Sequence, residues 1–129
     1  MGQKRILVVD DSDIVLEMAR EALEAGGFEV VTAMSAMEAN EYIFCDNKPA
    51  LIIMDVMLPM LDGDKKTKLL KENELTKNIP ILLLSSKPEN ELRWLVKESG
   101  ADGFLRKPFT QDLMIAKVVE TIRETSRGR

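Results

Sequence analysis

Four places in this chain set groups capable of chemistry directly behind an apolar run: Asp10 and Asp11 after Ile6–Val9, Asp55 after Leu51–Met54, Ser85 and Ser86 after Ile81–Leu84, and Lys107-Pro108 just past Gly103–Leu105. Singly, each has an ordinary explanation. Asp-Asp-Ser-Asp ahead of a helix is capping and dipole chemistry, serine at a strand end makes turns, and lysine beside proline faces solvent. Converging on one edge, three carboxylates, a hydroxyl and a lysine leave two net negative charges. Each unrelieved like-charge contact at about 4 Å costs on the order of 4 kcal/mol at an effective dielectric near 20. A divalent cation removes that excess. The ligands are hard oxygens and too few for calcium, so Mg²⁺ retaining several waters is the expected guest. A metal beside a carboxylate nucleophile, with a lysine and a hydroxyl for the remaining oxygens, is equipment for phosphoryl transfer.

Those groups converge only if the runs are strands of one sheet. Runs of strand length recur at Ile6–Val9, Val30–Ala33, Leu51–Met54, Ile81–Leu84 and Gly103–Leu105, with helical periodicity between them. The first helix presents Val15, Met18, Ala19, Ala22 and Leu23 and stops at Gly26-Gly27. Ser35 caps a second through Phe44. Asp62-Gly63 opens a short charged third, ending near Asn78-Ile79-Pro80. Lys87-Pro88 starts a fourth that runs to Gly100, and Thr110 caps a fifth with the face Ile115, Val118, Val119 and Ile122. Fivefold strand–helix alternation predicts an α/β fold, (βα)5 and doubly wound, with helices on both faces of a parallel sheet. In such sheets ligands bind beyond the carboxyl ends of the strands, where strand order reverses.

Composition narrows the field. The 129 residues suit one domain, 1–129, with 45% hydrophobic and 31% charged residues. A net charge of −4 gives no reason to expect direct nucleic-acid binding, and no apolar run spans a membrane. No signal-peptide core follows the amino terminus, and Ile6 stands where a Met-Gly myristoylation motif needs Ser or Thr. One cysteine, Cys45, forms no internal disulfide, consistent with a reducing cytoplasm. The absence of histidine removes Ser-His and Cys-His catalysis and histidine metal ligation.

The stretches RILVVDD at 5–11, LIIMDVMLPMLDG at 51–63, IPILLLSS at 79–86 and GADGFLRKPF at 100–109 resemble, in spacing and order, the receiver domain of two-component response regulators of the chemotaxis-regulator kind. The similarity runs from Arg5 to about Ile122. It implies strand order 2-1-3-4-5, Asp55 as phospho-acceptor, and Mg²⁺ held by Asp11, by Asp10 largely through water, by Asp55 and by the Met57 backbone carbonyl. It implies Ser85 as the hydroxyl switch, Lys107 as the phosphate-binding lysine, and Phe104 as the aromatic that changes rotamer. Met57 and Lys87 fall at positions that tune dephosphorylation, and Lys107–Pro108 is a candidate cis peptide. The implied donor is a sensor histidine kinase or a histidine phosphotransfer protein. The implied output is to an unidentified downstream protein through helix 4, strand 5 and helix 5. No enzymatic activity is implied beyond self-phosphorylation and self-dephosphorylation.

Two departures concern packing. Strand 3 is preceded by Pro49-Ala50 instead of Pro-Asp, and Asp64-Lys65-Lys66 stands where the family places an apolar residue. Trp94 is ambiguous between an outward partner anchor and the core, with core packing favoured. A rival reading takes Asp11-Ser12-Asp13-Ile14-Val15 as the Asp-x-Asp-x-Val signature of haloacid-dehalogenase-like phosphatases, with Asp11 and Asp13 as nucleophile and acid/base, but it leaves Asp55 unexplained. A flavin carrier needs a Ser/Thr/Gly-rich phosphate loop in place of Asp-Asp. A degenerate receiver serving only as a binding module would lack residues that are present here. No DNA-binding segment is read near Arg127 and Arg129, so the expectation is a stand-alone receiver or a piece of a longer protein.

Overall fold

The continuous apolar runs make sense once both faces of the sheet are covered. In the computed structural model, which describes residues 3–128, the elements are β1 (Arg5–Val9), α1 (Asp13–Ala25), β2 (Glu29–Ala33), α2 (Ala36–Ile43), β3 (Leu51–Asp55), α3 (Gly63–Glu72), β4 (Ile81–Ser85), α4 (Glu89–Ser99), β5 (Gly103–Arg106) and α5 (Gln111–Gly128). Met1, Gly2 and Arg129, and with them the Met-Gly terminus and the outermost ends of the expected domain, lie outside the described residues. All strand pairs are parallel, in the order β2-β1-β3-β4-β5. The expected architecture and strand order are those observed.

Alternate residues of each strand feed opposite layers. Ile6, Val8, Leu51, Ile53, Leu82 and Leu84 pack with Leu16, Ala19, Leu23, Met114 and Val118 of α1 and α5. Leu7, Val9, Ile52, Met54 and Ile81 pack with Ala36, Ala39, Ile43 and Leu70 of α2 and α3. A smaller cluster joins Val56, Leu83 and Leu92, with half-buried Phe104 against it. Burying a large aliphatic side chain is worth roughly 1.5–3 kcal/mol, so these layers fix the register of every strand end.

Side-chain caps begin α1, α2 and α5 where the sequence indicates. Val15 N–H donates to Ser12 Oγ, Glu38 N–H to Ser35 Oγ and Leu113 N–H to Thr110 Oγ1. Gly100 ends α4 at φ 81°, where a side chain would be strained. Gly63 answers a different need. A Cβ there would stand 1.9 Å from the Asp55 carbonyl oxygen, so only glycine lets α3 start against the end of β3.

Four expectations are corrected. The inner face of α1 is Leu16, Ala19, Ala22 and Leu23, while Met18 is exposed. The face of α5 is rotated by about one residue: Met114, Val118 and Thr121 are buried and Val119 is exposed. Thr121 tolerates burial because its hydroxyl donates to the Lys117 carbonyl. The third helix stops at Glu72, because residues 73–79 form turns in which the Thr76 hydroxyl donates to the Leu70 carbonyl. Trp94 points outward and is 61% exposed, since Leu92 takes the fully buried position on α4. Lys66 fills a buried place in α3 by donating to Asn40 Oδ1 of α2, with the Phe44 ring 6.0 Å from its ammonium.

Candidate functional site

Parallel strands finish their carbonyl ladders at one edge, and this edge gathers the polar residues. Val9 is level with Met54 and Asp55 with Leu84, so Asp10 and Asp55 leave adjacent strands nearly together. Asp10, Asp11 and Asp55 each place a carboxylate oxygen within 4.8 Å of the others. No other group of three or more acidic or thiol ligands gathers this way among the described residues. Asp10 and Asp55 are buried and Asp11 is exposed.

Lys107 reaches the cluster from the end of β5. Its Nζ lies 2.8 Å from Asp10 Oδ2 and 3.6 Å from Asp55 Oδ1. The Lys107–Pro108 peptide is cis, as the sequence suggests. Lys107 N–H donates to the Ser85 carbonyl, which ties this turn to β4. Ser12 N–H donates to Asp10 Oδ1 at 2.9 Å and Met57 N–H to Asp55 Oδ1 at 3.4 Å. Ser85 is buried, and its Oγ accepts from Lys87 N–H at 3.0 Å.

The electrostatics follow from burial. Desolvation first, and then the neighbouring Asp10 carboxylate, push the Asp55 carboxyl up from 3.8 to about 6, against the pull of Lys107. Burial works against the Lys107 ammonium, but Asp10 and Asp55 together outweigh it and hold the group above its ordinary value. Asp10 Oδ2 is buried, with the Lys107 ammonium as its close partner. A concentrated set of three carboxylates facing a single ammonium fits a hard divalent cation.

The residues singled out in the sequence therefore divide. Asp10, Asp11, Asp55 and Lys107 form the cluster. Ser85 stands at the end of the next strand, and half-buried Phe104 lies one strand further, level with Leu83. Met57 is exposed at the mouth, and Lys87 Nζ lies 3.8 Å from Glu91 Oε2 on α4. Asp13 opens α1 outside the three-carboxylate group. The sequence reading overlooked the half-buried Lys71–Asp102 ion pair at 2.8 Å. It braces the entry to β4 and β5, Asp102 also accepting from Ile81 N–H. No local pattern joins residues thirty-one apart, so only the fold reveals it.

Comparison with known proteins agrees with this geometry. The family model described as the response regulator receiver domain matches residues 6–119. The chain belongs to that family. It is 38% identical over 128 residues to the phosphate regulon transcriptional regulatory protein PhoB of Pseudomonas aeruginosa, covering 99% of this chain and 56% of that protein. It is also 38% identical over 122 residues to the alkaline phosphatase synthesis transcriptional regulatory protein PhoP of Bacillus subtilis, covering 95% of this chain and 50% of that one. The chain thus spans about half the length of the curated relatives it matches. Among solved structures, a response regulator from Chloroflexus aurantiacus superposes with TM-score 0.88 at 34% identity, covering 95% of this chain and 99% of that one. The chemotaxis response regulator CheY4 of Vibrio cholerae superposes with TM-score 0.83 at 30% identity, covering 94% and 99%. No described helix is long and apolar enough to cross a membrane.

Proposed function

We propose that residues 1–129 act as a single cytoplasmic receiver domain that takes a phosphoryl group onto Asp55 from a sensor histidine kinase or a histidine phosphotransfer protein. The observation that carries the reading is one ammonium, Lys107 Nζ, shared by Asp10 and Asp55 within a cluster of three carboxylates. Asp10, Asp11, Asp55 and the Met57 carbonyl are the residues that would hold Mg²⁺. Once bound, the ion supplies positive charge against the carboxylates and the incoming phosphoryl oxygens.

In the transfer, one Asp55 carboxylate oxygen forms a bond to phosphorus as the phosphorus–nitrogen bond of the donor breaks. The departing imidazole keeps that electron pair. Lys107 gives up part of its contact with the carboxylates to pair with a phosphoryl oxygen, and the Ser85 hydroxyl donates to another. The move of Ser85 opens space that Phe104 fills, shifting a population between two packings of α4, β5 and α5 toward the form that a downstream protein binds. Catalysis extends to gain and loss of this phosphoryl group alone.

Incubation with acetyl phosphate, with and without Mg²⁺, tests the reading by intact mass. One added phosphoryl group is expected with Mg²⁺, and none when chelator is present from the start. Equal labelling in excess chelator would contradict the metal's part in it.

A further inference from the structure

Trp94 is the one tryptophan of the chain, and most of its surface is open. Its ring lines a groove of about 660 Å³ between α4 and the segment leading from β3 into α3. Buried Val56 and half-buried Leu95 give this groove its apolar lining. Asp62, Asp64 and Glu91 add three carboxylates, against which the lining offers a single cation, Lys87. That ammonium is already engaged, 3.8 Å from Glu91 Oε2. Beyond the indole a smaller hollow mixes Lys65 and Lys68 with Glu98 and the shared Asp64, while the larger groove keeps more carboxylates than cations.

An exposed indole beside unbalanced carboxylates is complementary to one kind of side chain. A guanidinium stacks flat on an aromatic face, sheds water more readily than an ammonium, and presents a fork of N–H donors to a carboxylate. Tryptophan and arginine are also the residues that most often dominate protein interfaces. We propose that this groove receives an arginine side chain from a partner protein, stacked on Trp94 and paired with Asp62 and Asp64, the two lining carboxylates that Lys87 leaves uncompensated. The groove runs on to Met57, two residues past Asp55, so its occupant sits beside the carboxylate cluster. This surface lies on the α3 side of α4 and is separate from the α4, β5 and α5 face. It does not depend on phosphorylation, so unphosphorylated protein suffices for its test.

The single tryptophan gives a direct readout. Acetyl-Gly-Gly-Arg-Gly-Gly-amide is titrated into the full chain while the Trp94 indole N–H resonance and fluorescence are followed. Versions with citrulline or glutamate in place of arginine serve as neutral and acidic controls. A saturable Trp94 shift with the arginine peptide is expected, weakened about tenfold or more with citrulline, where the charge is gone. The shift is also expected to be lost in Asp62→Asn/Asp64→Asn, whose thermal melt shows it to be folded. No saturable shift, equal binding of arginine and citrulline peptides, or unchanged binding by the double variant overturns the proposal. So does a stronger response to the glutamate peptide. A Trp94 shift that depends on protein concentration without any peptide would assign the groove to a second copy of this chain, and overturns it too.

Discussion

Lys107 Nζ lies 2.8 Å from Asp10 Oδ2 and 3.6 Å from Asp55 Oδ1, so one ammonium serves two buried carboxylates from neighbouring strands. Removing it leaves both without their common counter-charge. For Lys107→Met, metal-free stability at pH 7.5 is expected to fall by about 1–3 kcal/mol, less than the roughly 3–5 kcal/mol for breaking a fully buried pair because Lys107 is partly exposed. Mg²⁺ is expected to restore part of that loss by binding the same carboxylates. Urea melts with and without Mg²⁺ check this, and a variant as stable as the parent without metal would show the pair to be energetically idle.

The raised Asp55 carboxyl has a consequence of definite sign. Its folded value of about 6 exceeds the unfolded 3.8, so between those limits the folded state binds the proton more tightly. The contribution of Asp55 to stability is therefore greatest below about pH 4 and declines until the pH passes about 6. Asp55→Asn removes that decline. Without metal, the variant is expected to exceed the parent at pH 7.5 by on the order of 2–3 kcal/mol, with the gap closing toward pH 4. Saturating Mg²⁺ is expected to stabilise the parent more than the variant. A pH-independent gap in melts across this range would place the cause outside Asp55 ionisation.

Lys66 pairs with Asn40 Oδ1, and no ion pair to an acidic group is seen among the described residues; burial lowers its basicity. Lys66→Met keeps the stem volume and removes the desolvated charge. It is expected to stabilise the fold by about 1–2 kcal/mol. Chemical denaturation measures it. A loss above 1 kcal/mol would show that the bond from α3 to α2 outweighs the cost of burying the ammonium.

How much of this was legible in the sequence depends on which interactions hold each part. The strands were readable because both sheet faces are covered, so Leu51–Met54 appears as an unbroken apolar run ending at Asp55. The carboxylates, Ser85 and Lys107 were readable because each follows such a run. The rotation of α5 was not, since Thr121 hides its hydroxyl on its own helix while Val119 faces out. Lys66 is buried and Trp94 exposed for a related reason. A long stem with one partner can be buried, and Leu92 already occupies the inner position that Trp94 would need. Such outcomes are settled by packing between elements, which periodicity along one element does not encode.

Met57 and Lys87 flank the approach to Asp55, the first with an exposed thioether and the second drawn toward Glu91. Neither side chain carries a carboxylate or amide that could orient a water for attack on a phosphoryl group, so a comparatively slow self-dephosphorylation is expected. Met57→Asn with Lys87→Glu is expected to shorten the phosphorylated lifetime several-fold, since about 1.4 kcal/mol of barrier changes the rate tenfold. Phosphate release from purified phosphoprotein gives the comparison. A lifetime that stays the same or lengthens would reject shielding by these two side chains.

Beryllofluoride with Mg²⁺ mimics the phosphoryl group on a carboxylate without turning over. Amide shift changes are expected to concentrate at residues 85–110, with the Phe104 ring resonances moving in step. Changes restricted to residues 10–12 and 55–57 would mean that the site binds its ligand without switching the face of α4, β5 and α5.

The most direct measurement locates the phosphoryl group itself. The protein is phosphorylated by a phosphohistidine donor in Mg²⁺, the acyl phosphate is reduced with borohydride, and the modified residue is identified by fragmentation mass spectrometry. The expected result is homoserine at position 55 alone, with no reduction product in Asp55→Asn. Homoserine at position 11, persisting in Asp55→Asn, would contradict Asp55 as the acceptor and move the chemistry to the loop after β1.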